Sequence, residues 1–92
     1  MKVQRVHIAA CCGRTATIFR TDEPLNKAHI TALTKHGFVE TPHFTQAGIL
    51  YMDNPDFNLS GPIGSDRLTV NCRHADCTQK MNDLEELLQH LE

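Results

Sequence analysis

Two different periods meet near the C-terminus of this chain, and together they fix its architecture more tightly than any other feature. From Leu68 to Arg73 the residues alternate, with Leu68, Val70 and Cys72 in one set and Thr69, Asn71 and Arg73 in the other. A period of two is that of a strand with one face sheltered and one face wet. Immediately afterwards Cys77, Met81, Leu84, Leu88 and Leu91 recur at spacings of 4, 3, 4 and 3, the apolar stripe of an amphipathic helix. A half-sheltered strand followed by a one-sided helix predicts a sheet with a helix packed on it.

The rest of the chain supplies further elements of both kinds. Val3, Val6, Ile8 and Ala10, then Ala16, Ile18 and Phe19, form two short β-branched runs separated by Cys11-Cys12-Gly13-Arg14, which predicts a β-hairpin turning at Gly13. Thr21-Asp22-Glu23-Pro24 provides a polar cap, an acidic first turn and an early proline, so a helix is expected to start there. Leu25, Ala28, Ala32 and Leu33 continue it to Lys35, and His36-Gly37-Phe38 fits a glycine stop with an apolar residue folding back. Ala47 to Met52 reads as a sheltered strand ended by Asp53-Asn54-Pro55. Residues 53–66 are either a long loop or carry an extra short strand near Phe57 to Leu59. Asp76 is expected to cap the last helix, with Gln79 three residues on. The order is ββαββα, an α+β two-layer sandwich in which an antiparallel sheet carries both helices on one face.

With 92 residues, 40% hydrophobic and 22% charged, residues 1–92 are expected to form a single domain with one modest core. No stretch approaches the roughly 20 apolar residues of a membrane span, and Met1-Lys2-Val3-Gln4-Arg5 lacks the apolar segment of a signal peptide. A cytoplasmic protein with reduced thiols is therefore expected. The net charge of −2 is unevenly spread. Residues 1–21 contain Lys2, Arg5, Arg14 and Arg20 and no acid, whereas the final helix carries Asp83, Glu85, Glu86 and Glu92.

Few residues point to catalysis. The four cysteines fall as Cys11-Cys12 and as a C-x-H-x2-C group, Cys72, His74 and Cys77, not as the paired knuckles of a zinc ribbon. Cys11, Cys12, Cys72, His74 and Cys77 together could form a zinc-binding or redox-sensitive regulatory cluster. Core packing competes with that reading, because Cys72 is in register with Leu68 and Val70, and Cys77 with Met81 and Leu84. The six histidines show no i, i+4 metal pair, and Ser60-Gly61-Pro62-Ile63-Gly64-Ser65 lacks the Lys-Ser/Thr of a phosphate loop. No enzyme, cofactor, metal or small-molecule substrate is expected.

The remaining signal is the placement of arginine. All five arginines fall on predicted strands or turns, and the helices carry only lysine. With both helices on one face of the sheet, Arg5, His7, Thr69, Asn71 and Arg73 are expected to share the other. Arg5, Arg14, Arg20, Arg67, Asn71 and Arg73 are thus the candidate partner-binding residues, suited to phosphate backbones or acidic protein patches. A nucleic-acid-binding module is a further alternative, although the aromatic run that stacks bases in RNA-recognition domains is missing.

In Ala47-Gly48-Ile49-Leu50-Tyr51, in Ser60-Gly61-Pro62-Ile63-Gly64-Ser65-Asp66-Arg67-Leu68 and in the segment from Cys72 to Leu91, the chain resembles small proteins of proteobacterial phages and mobile elements. In size and ββαββα outline it is similar to the anti-CRISPR inhibitors of type I-F systems. The resemblance implies a non-enzymatic protein that binds the RNA-guided surveillance complex through its protein subunits and guide RNA, and blocks target DNA binding. It is one of architecture and carries over no individual residue.

Overall fold

A computed structural model describes residues 1–8, 16–74 and 76–91. The elements run β1 (Val3–Ile8), β2 (Ala16–Thr21), α1 (Lys27–Thr34), β3 (Val39–Glu40), α2 (Pro42–Gln46), β4 (Ile49–Asp53), β5 (Phe57–Pro62), β6 (Arg67–Cys72) and α3 (Thr78–Gln89). The six strands form one sheet in the order β1-β2-β6-β5-β4-β3, with every neighbouring pair antiparallel. The fold is α+β, as expected. It departs from a ββαββα outline by two further strands, β3 and β5, and by the short helix α2. None of the described helices is long and apolar enough to cross a membrane.

Alternation within the strands sends Phe19, Leu50, Met52, Phe57, Leu59, Leu68 and Val70 to one side, where they form one core with Ile30 and Leu33 of α1 and Met81, Leu84 and Leu88 of α3. The stripe read from the sequence is therefore the face that α3 buries. β5 is the extra strand near Phe57 to Leu59 that the sequence allows as the alternative to a long loop, and it runs further, through Gly61 and Pro62, which are strand breakers. Phe57, Leu59 and Gly61 nevertheless face the core, and Pro62 sits at the strand end, where its missing N–H costs little. Asn54 builds the turn into β5, its Oδ1 accepting the N–H groups of Asp56 at 2.9 Å and Phe57 at 2.6 Å.

α1 begins later than Thr21 to Pro24 suggests, because the capping side chain is Asn26. Its Oδ1 accepts from the amides of Ala28 and His29, while the Asn26 N–H donates to His29 Nδ1 at 3.2 Å. With Nδ1 accepting, the ring proton is on Nε2, which donates to Glu23 Oε1 at 2.9 Å. His29 thus does the work of glutamate or glutamine in a capping box, from a buried position. Replacing it with alanine is expected to cost about 1–2 kcal/mol, as for loss of a cap, and glutamine should recover part of the loss. Thermal unfolding of the two variants checks this. The helix ends as the sequence indicates: Gly37, at φ 90°, donates to Thr34 O, and Phe38 N–H reaches Leu33 O at 3.2 Å with its ring buried.

β1 is an edge strand, and α3 closes part of its free side. The Gln89 side-chain amide accepts from Val3 N–H at 3.2 Å and donates to Val3 O at 2.9 Å, on the side where β1 has no strand neighbour among the described residues. Arg5, expected on the open face, lies on the helix side instead. Its Nη2 donates to Asn82 Oδ1 and Glu85 Oε2 of α3, and its guanidinium lies 5.8 Å from the centre of the Phe19 ring. The reason is positional, since the edge strand lies beyond the apolar stripe of α3 and meets the polar flank made by Asn82, Glu85 and Gln89. Arg5 is thereby removed from the candidate binding face.

Candidate interaction surface

The sheet face turned away from α1 and α3 has three regions, each set by strand register. At one corner Val6 of β1 and Ile18 of β2 are direct partners, and Val6 is 38% exposed. Next to them Arg20 of β2 lies directly opposite Arg67 of β6, and both are exposed. These four residues line a recess of about 220 Å³. In the middle, Thr69 lies opposite Ser60 and Asn71 opposite Asn58, two uncharged polar rungs. At the far side Tyr51 of β4 is stacked under Phe44 of α2, with ring centres 4.5 Å apart, so the ring is covered rather than offered to a base.

Like charges placed directly across an antiparallel pair repel, and local neutralisation here is partial. Arg20 Nε lies 3.7 Å from Asp66 Oδ2, a solvent-exposed pair of little energetic weight. Arg67 makes no ion pair among the described residues. The result is two guanidinium groups beside an apolar floor on an uncovered face. Such a pair can accept a carboxylate or phosphate between two planar donors, with Val6 and Ile18 taking an apolar contact.

The candidate residues divide accordingly. Arg20, Arg67 and Asn71 share the open face. Arg73 lies past the end of β6, about 20 Å along the strand from Arg67, and its Nη2 bonds to Asp53 Oδ1, which also accepts from Asn58 Nδ2 at 3.0 Å. It is paired within the chain, in a contact at the surface. Arg5 is on the opposite face, and Arg14 lies outside the described residues, as do the Gly13 turn, Cys11 and Cys12. Sequence reasoning missed Val6 and Ile18 as floor residues, because their hydrophobicity favours an inward assignment.

The second cysteine group, Cys72 and Cys77, is organised differently from either a zinc site or a pair of free thiols. Cys72, the last residue of β6, and Cys77, the N-cap residue of α3, form a disulfide with Cα atoms 6.4 Å apart. His74 Nε2 meets Asp56 Oδ1 at 2.7 Å, and Lys80 Nζ reaches the same oxygen at 3.2 Å. Among the described residues no three His, Cys, Asp or Glu side chains are grouped to hold a metal ion.

Hydrogen bonding from His74, and then from Lys80, holds the Asp56 carboxyl below its ordinary value of 3.8. A carboxyl lowered on folding contributes stability above its unfolded value and loses it as pH falls through the lower folded value. Asp56→Asn is therefore expected to be less stable than the parent at neutral pH, with the gap closing below about pH 4. Urea unfolding across that pH range measures it.

Comparison of the chain with protein-family models, with curated proteins and with solved structures gives no match.

Proposed function

We propose that this chain is a non-enzymatic binding domain that docks through the open face of its sheet, with Arg20 and Arg67 as paired anchors on an anionic partner surface. The observation that carries this reading is the direct cross-strand register of the two arginines beside the exposed Val6 and the half-buried Ile18. An arrangement that weakens the isolated domain is readily understood when a partner's negative charge completes it. The polar rungs of Thr69, Ser60, Asn71 and Asn58 extend the surface with uncharged donors and acceptors, as at the rim of a protein interface.

The partner class suggested by the resemblance is the type I-F RNA-guided surveillance complex, engaged in the host cytoplasm through its protein subunits and guide RNA so that target DNA cannot bind. Size-exclusion co-elution with the purified complex, with and without guide RNA, tests that identity directly. Arg67→Glu combined with Arg20→Glu is expected to weaken partner binding by about 100-fold or more. Arg67→Glu alone creates an opposite-charge rung with Arg20 and should leave the melting temperature unchanged or raised. A folded double variant with parental affinity would remove this face from the interface.

A further inference from the structure

We infer that Cys72 and Cys77 form a reversible thiol–disulfide site, in which the sulfur of Cys77 exchanges between a covalent bond to Cys72 and the N-cap position of α3. This inference is independent of the docking surface.

The argument begins at the helix terminus. Cys77 occupies the N-cap, where a side-chain acceptor ordinarily bonds the amides two and three residues on, yet with its sulfur in the disulfide it makes no side-chain capping bond. Asp76 compensates in part by accepting from Thr78 N–H at 3.1 Å and from Thr78 Oγ1 at 3.0 Å. The amides of Gln79 and Lys80 meet no acceptor among the described residues. A free Cys77 sulfur at the N-cap stands where such an acceptor belongs, and the positive end of a 12-residue helix favours it as a thiolate. At the other sulfur, His74 N–H lies 3.2 Å from Cys72 Sγ. The His74 carbonyl oxygen, 3.3 Å from the same sulfur, stands ready to accept from the Cys72 thiol, so both sulfurs have partners in the folded chain once reduced, which is the condition that makes a disulfide easy to reduce.

The co-reactant class is a small monothiol such as glutathione. Its thiolate attacks Cys72 Sγ; a sulfur–sulfur bond forms there, the Cys72–Cys77 bond breaks, and the electron pair leaves on Cys77 Sγ. A second glutathione thiolate attacks the glutathione sulfur of the mixed disulfide, forming oxidised glutathione and releasing Cys72. The protein gains two electrons and two protons, and two glutathione molecules are joined. The site is thus a modification site for S-glutathionylation at Cys72 as well as a switch at the start of α3.

Sequence provides a clean assay. Trypsin cuts after Arg67, Arg73 and Lys80, so Cys72 and Cys77 separate into peptides 68–73 and 74–80, distinct from the Cys11-Cys12 peptide. The folded full-length protein is equilibrated with mixtures of reduced and oxidised glutathione in metal-free buffer, acid-quenched, alkylated and digested. The linked peptide pair is expected to fall from about nine-tenths to one-tenth of the total as the ratio of squared reduced to oxidised glutathione rises about 80-fold, with the transition inside the range of cellular glutathione mixtures. Reduction should also move the backbone amide resonances of Gln79 and Lys80. Linked peptides that survive excess glutathione in the folded protein would make the bond a permanent staple and overturn the proposal. Thiols that stay free in every mixture, or that are held by stoichiometric zinc in the purified protein, would overturn it equally. Under reducing conditions Cys77→Ser should melt at a higher temperature than Cys77→Ala, because serine retains the cap; equal melting would remove the capping half of the switch.

Discussion

Phe19→Ala is expected to remove about 3–5 kcal/mol of stability. Phe19 is completely buried and lies in register between Arg5 of β1 and Leu68 of β6. Truncation would leave a cavity at the junction of the N-terminal hairpin with the rest of the sheet. It would also undercut Arg5, whose Nε is buried without a hydrogen-bond acceptor among the described residues and whose guanidinium faces the ring. A domain of this size has only about 5–15 kcal/mol in total, and each kcal/mol moves the midpoint by roughly 4–8 °C. The variant is therefore expected to be partly unfolded at 37 °C, and Phe19→Leu should cost markedly less. Urea denaturation with the slope held in view separates lost stability from a changed unfolded state. A loss below about 1 kcal/mol would mean that the hairpin repacks freely.

Gly61→Ala is expected to cost about 3 kcal/mol, at the upper end for overpacking. A Cβ on Gly61 would lie 2.9 Å from Leu25 Cδ1 and closer still to the backbone carbonyl oxygen of Arg67. Leucine can change rotamer, but the carbonyl cannot move without shifting β6. Leu25 has little room either, since it is 2% exposed and its backbone is bonded to Ser65 and Gly64 on both sides. The usual benefit of replacing glycine, a stiffer unfolded chain, is under 1 kcal/mol and does not offset the contact. Because the displaced residue is Arg67, partner binding and thermal stability should fall together in this variant. In Arg67→Glu they should part company, so measuring both in both variants distinguishes a misplaced anchor from a missing one.

The elements legible in the sequence were those whose pattern is local and uninterrupted. β6 and the stripe of α3 could be read directly, as could the Gly37 stop of α1. β5 could be read only as an alternative to a loop and only as far as Leu59, because Gly61 and Pro62 mask an alternation that continues through them. β3 has two residues and is defined by its pairing with Asp53 and Met52 rather than by any pattern of its own. The side on which Arg5 falls depends on what covers the edge of the sheet, and only the folded position of Asn82, Glu85 and Gln89 decides it. The rung between Arg20 and Arg67 joins residues 47 apart, from strands whose adjacency no local pattern encodes. The sequence supplied the arginines and their lack of nearby acid in the N-terminal segment, and the strand order made them a site.

The bridge between Gln89 and Val3 spans 86 positions, nearly the whole chain. During synthesis on a ribosome β1 and β2 would emerge ahead of β6 and α3, and find neither β6 to pair with nor α3 to cover Arg5. Completion of the sheet thus waits for β6, and covering of its β1 edge for α3, and closing so long a loop is slow relative to forming a helix or hairpin. Until then the outer edge of β1 stays open, and unpaired edges are where nascent chains stick to one another. One glutamine side chain therefore sets a kinetic deadline as well as a thermodynamic contact.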